Sequence, residues 1–126
     1  MSYTYYKKLD DKTKIPGYAI KFDCKCCGLR ELPELPIGLI ELKCYGNKLT
    51  ELPELPKGLQ TLFCEFNNLN ELPELHSGLI ILWCNNNNIK YLSFNNCQIV
   101  KNIDLTIMNN PISSGFASDE EFQASL

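Results

Sequence analysis

Apolar residues return along this chain on a fixed schedule: Leu39, Leu42, Cys44 and Leu49, then Leu59, Leu62, Cys64 and Leu69, then Leu79, Leu82, Cys84 and Ile89. The interval of about 20 residues is too long for a helical heptad and right for one turn of a stacked repeat. Within each turn the Leu-x-Cys alternation has the period of two that predicts a short strand with one buried face. Between strands, Leu-Pro-Glu-Leu-Pro at 32–36 and 52–56 excludes helix and central strand, because proline fixes φ and lacks an amide donor. An extended, polyproline-like return leg is the simplest expectation. Gly38, Gly58 and Gly78 are then expected to supply the bend back toward the strand through backbone angles that other residues avoid.

Three copies are regular, at 32–51, 52–71 and 72–91, and in the third His76 replaces the second proline. One period before Leu42, Cys44, Asn47 and Leu49 stand Phe22, Cys24, Cys27 and Leu29, a degenerate repeat at 19–31. After the third copy the same columns reappear at Leu105, Ile107, Asn110 and Ile112, later than the period requires, so the repeat at 92–114 carries an insertion. Residues 1–18 are expected to cap the first turn. Residues 115–126 form a carboxy-terminal cap or tail, in which Ser118, Asp119, Glu120 and Glu121 have the pattern of a helix start with Phe122 turned inward.

The string Leu39-x-x-Leu42-x-Cys44-x-x-Asn47-x-Leu49 resembles the leucine-rich repeat, L-x-x-L-x-L-x-x-N/C-x-L, with cysteine in the third apolar slot. The LPELP segment and the short period are similar to its short bacterial-type class, seen in the repeats of YopM and IpaH-type effectors. The asparagine-rich LxCxxN turns are also loosely similar to repeat proteins of giant viruses. The resemblance implies a single domain of α/β-type repeat solenoid: a short arc with about five parallel strands on its concave side, extended convex returns and little helix. It also implies that Asn47, Asn67, Asn87 and Asn110 form a structural ladder satisfying buried backbone groups, with Cys27 in the same column. The neighbouring Asn85, Asn86, Asn88, Asn95 and Asn96 fall outside that ladder, and Asn86→Ala is expected to be silent.

Candidate chemistry is sparse. Cys24, Cys26 and Cys27 cluster, but alternation sends them in different directions and no second pair stands at zinc-finger spacing, so no metal or cofactor is expected. The odd total of seven cysteines and the absence of a signal-peptide pattern at the start of the chain favour free thiols and a cytoplasmic address, or a host cytoplasm for a viral or effector protein. His76, the one histidine, lies on a return leg away from the strand cysteines, and only a short tail follows Ile112, so no catalytic site or separate catalytic domain is expected. A net charge of −3 supplies no basic field for nucleic acid or anionic membrane. Glu31, Glu51 and Glu71 with Glu34, Glu54 and Glu74 form two acidic columns on the outside.

The non-core strand positions therefore carry the functional reading. They run Lys21, Glu41, Thr61, Ile81, Asp104 and Asp23, Lys43, Phe63, Trp83, Thr106. With Tyr45 and Phe66 they give an apolar patch of Tyr45, Phe63, Phe66, Ile81 and Trp83 in a polar strip, the composition of an interaction hot spot. The expected function is a non-catalytic module binding a protein partner on its concave face. One alternative is a structural protein that self-associates through the patch. Another is a metal or redox protein using Cys24, Cys26 and Cys27.

Overall fold

A computed structural model of the chain describes residues 4–6, 15–92 and 102–126. Its strands, β1 (Thr4–Tyr6), β2 (Lys21–Asp23), β3 (Glu41–Lys43), β4 (Thr61–Phe63), β5 (Ile81–Trp83) and β6 (Asp104–Thr106), form one parallel sheet in chain order. The molecule is thus a parallel-strand solenoid with turns of about 20 residues and, among the described residues, almost no helix. At about 4.8 Å per step the sheet is about 24 Å long. The five strands expected from the repeats are present and pair in phase, Phe22 with Leu42, Leu42 with Leu62, Leu62 with Leu82 and Leu82 with Leu105. The sixth, β1, lies in the segment expected only to cap the first turn; Thr4–Tyr6 carries strand-favouring residues but no repeat signature. Cys97, Asn95 and Asn96 lie outside the described residues.

Each of these strands is short, and the ladder runs one position further. The Cys24, Cys44, Cys64 and Cys84 amides donate to the carbonyls of Lys43, Phe63, Trp83 and Thr106 in the next strand, at 2.8 to 2.9 Å. Phe22, Leu42, Leu62, Leu82 and Leu105 point inward, as do the cysteines, and all are buried. Leu35, Leu39, Leu55, Leu59, Leu75 and Leu79 on the return legs fill the space opposite. The thiols are small core hydrophobes here, and the six described cysteines are all free.

The asparagine column closes each turn onto the one before it. Asn67 Nδ2 donates to the carbonyls of Cys44 and Cys64, and its Oδ1 accepts from the Leu49 amide at 3.1 Å. Asn47, Asn87 and Asn110 repeat the arrangement, and Asn47 Oδ1 accepts from both Cys27 and Leu29. These groups would otherwise be buried without partners.

The bend residues differ from expectation. Gly38, Gly58 and Gly78 do not have positive φ, and a Cβ on Gly38 or Gly58 would meet open space. They sit in turns closed by Leu39, Leu59 and Leu79 amides donating to the carbonyls of Pro36, Pro56 and His76. Only the carbonyl is used, which is why His76 substitutes for proline without loss of the turn. Ala19 donating to Pro16 repeats the same turn one period earlier, at the border of the segment read as a cap. Among the described residues, positive φ falls instead just after β2 to β6, at Cys26, Gly46, Phe66, Asn86 and Asn109, and also at Gly28 and Gly115. Just after these strands the chain must reverse its pleat to bring the ladder residue inward.

At the carboxy-terminal end, Ser118 caps α1 (Asp119–Ala124) by accepting from the Glu121 amide, and Phe122 is buried against Phe116 at 5.2 Å between ring centroids. Asp119 Oδ1 accepts from the Ile107 amide at 2.7 Å and the Met108 amide at 3.1 Å, and Gln123 Nε2 donates to the Ile103 carbonyl. The helix therefore occupies backbone groups on either side of β6 at the outer edge of the sheet, which blunts that edge against pairing with another chain.

Candidate interaction surface

The exposed side of the sheet is built by the residues that alternate with the core. The register sets Lys21 beside Glu41 and Asp23 beside Lys43 at one end, then Thr61 beside Ile81 and Phe63 beside Trp83 toward the other. Opposite charges are thus neighbours in the first strands, and apolar groups are neighbours in the next two. Phe63 and Trp83 meet edge to face, with ring centroids 4.6 Å apart and planes at 67°. Such a pair is the favoured arrangement for two ring quadrupoles. The Lys43 ammonium lies 5.8 Å from the Phe63 centroid, within reach of a cation–π attraction.

One step further along the strands, a column of Lys25, Tyr45, Glu65, Asn85 and Met108 continues this face. Lys25 Nζ is 3.5 Å from Asp23, and that carboxylate, followed by Tyr45, raises its pKa. Thr106 donates to Asn85 Oδ1 at 2.7 Å. Glu65 makes no ion pair among the described residues; its Oε1 is enclosed without a hydrogen-bond partner, and burial raises its carboxyl pKa. Trp83 Nε1 is likewise enclosed and unpartnered. These are the two buried side-chain polar atoms without a partner among the described residues, and they lie on one small surface.

Of the residues expected to form the patch, Phe63 and Trp83 are in ring contact, and Tyr45 and Ile81 are half-buried on the same face. Phe66 is different: it follows the strand, holds φ at 57° and is 56% exposed. It borders the face rather than belonging to the strand column. Glu65 and Lys43 were not singled out as site residues, although carrying the alternation one step past the cysteines reaches Glu65 directly.

Asn86 also departs from expectation. It occupies the left-handed position at φ 58°, which asparagine tolerates better than most residues, and its Oδ1 accepts from Asn109 at 3.0 Å. Asn88 donates to Asn70 Oδ1. The asparagines beside the ladder therefore form shorter side-chain rungs of their own.

In the cysteine cluster, Cys24 is buried, Cys27 is half-buried with its amide held by Asn47, and Cys26 is exposed. Burial pushes the Cys24 thiol up to about 12, and desolvation raises Cys44, Cys64 and Cys84 as well, so these four are poor thiolates. His76 lies half-buried on the return leg, and the six glutamates of the acidic columns are exposed. No helix among the described residues is long and apolar enough to cross a membrane. No protein-family model matches the chain, and no curated protein matches it.

Proposed function

We propose that this chain is a non-catalytic protein-interaction module, a leucine-rich-repeat arc of the short bacterial-type class that seats a partner protein on its concave face. The observation that carries the reading is the Phe63–Trp83 pair, two large rings held edge to face at 4.6 Å on the accessible side of the sheet, flanked by Tyr45 and Ile81. Aromatic anchors bordered by charge dominate binding energy in protein interfaces. The free thiols support a reducing compartment such as the cytoplasm.

Phe63→Ala combined with Trp83→Ala tests it. The core below these rings is built by Leu62, Leu82 and the cysteines, so the double variant is expected to keep its circular dichroism spectrum and cooperative unfolding. Capture of the cognate partner is expected to fall at least 100-fold, since each anchor contributes about 2 kcal/mol or more. Collapse of the fold, or unchanged capture, sinks the reading. A drop in sedimentation mass on the same substitution identifies a second copy as the occupant.

A further inference from the structure

Glu65 is a carboxylate set among rings. Its column neighbour is Tyr45, Phe63 precedes it on the same face, Trp83 stands beside Phe63 in the adjoining strand, and Phe66 follows it. A half-buried acid costs free energy; its own backbone amide offsets part of that cost, but Oε1 is left without a partner and among the described residues no cation pairs with it. The ring face beside it already attracts positive charge, because the chain's own Lys43 lies over Phe63. Rotation about the last side-chain bond of glutamate is broad and nearly two-fold, so an incoming donor is met by either oxygen.

We infer that the concave face recognises a partner through an arginine or lysine side chain that enters over Phe63 and Trp83 and pairs with Glu65. This inference rests on the docking reading above and adds the chemistry of the anchor. The aromatic faces attract the cation and shield it from water, while the carboxylate completes a charge-assisted hydrogen bond in a partly desolvated setting. Arginine suits the site better than lysine, because its planar guanidinium both stacks on rings and offers paired donors.

Trp83 is the one tryptophan in the chain, so its fluorescence reports this surface alone. The probe is a tripeptide of leucine, arginine and leucine blocked at both ends, compared with versions carrying neutral citrulline or norleucine at the centre. The arginine peptide is expected to give a saturable change, with the citrulline peptide about tenfold weaker or worse. Glu65→Gln is expected to erase that difference without loss of cooperative unfolding. Equal binding of the three peptides, no binding by any, or a charge preference that survives Glu65→Gln overturns the inference. Equal binding of the three leaves docking on the rings standing. Failure of the docking reading itself shows separately, as partner capture indifferent to loss of Phe63 and Trp83.

Discussion

Asn67 serves four backbone groups in two turns with one amide, so its loss should be felt out of proportion to its size. Asn67→Ala is expected to lower stability by about 1 to 3 kcal/mol in urea unfolding, the cost of stranding buried polar groups. Asn86→Ala, expected from sequence to be silent, should instead cost about 1 kcal/mol, because alanine tolerates the left-handed backbone poorly. Gly58→Ala goes the other way: with ordinary φ and open space at its Cβ, it should stabilise by about 0.4 to 1 kcal/mol through the unfolded state. At Glu65 the folded state raises the carboxyl pKa above its ordinary value of 4.5. Its protonated form is therefore favoured by folding, a contribution complete below that ordinary value and lost as pH rises through the folded one. Glu65→Gln should raise the urea midpoint at pH 7, and the advantage should disappear near pH 3.5. A residue that weakens the fold at neutral pH while facing an aromatic surface fits a binding role better than a structural one.

Among the elements, α1 is small but holds backbone groups on both flanks of β6. Asp119→Ala removes the acceptor for two amides at once, so Ile107 and Met108 should lose hydrogen-exchange protection first and most strongly, while Leu42 and Leu62 keep theirs. The repeated strands were legible because Leu-x-Cys recurs in phase and each inward side chain has a like neighbour one period away. Strand β1 was not, since Thr4–Tyr6 shares no letters with that repeat and owes its pairing to the open edge of β2. The start of α1 was legible from Ser118 and Glu121, whereas the role of Asp119 was not, because nothing local announces which amides a carboxylate will meet. Glycine misled in a different way: Gly38, Gly58 and Gly78 recur with the period, yet the positive-φ column contains Cys26, Gly46, Phe66, Asn86 and Asn109, and composition hid it.

For the molecule as a whole, stacking puts four thiols in a continuous buried line and leaves Cys26 outside. A thiol reagent at neutral pH should therefore label Cys26 in the native protein, while Cys24, Cys44, Cys64 and Cys84 react only on unfolding, as peptide mapping of the labelled sites will show. That Phe63 and Trp83 are neighbours was legible from the repeat register, but the place of Glu65 on the same face required the third column to be followed. The asparagine ladder also has a direction. Each turn's carbonyls and amides are completed by an asparagine made one period later, and the amides just past β6 are completed by Asp119. On a ribosome adding about 5 to 20 residues per second, every emerging turn waits about 1 to 4 s for its successor. A nascent chain halted between repeats would always present one unfinished turn to chaperones and proteases, and only the arrival of Asp119 ends that exposure.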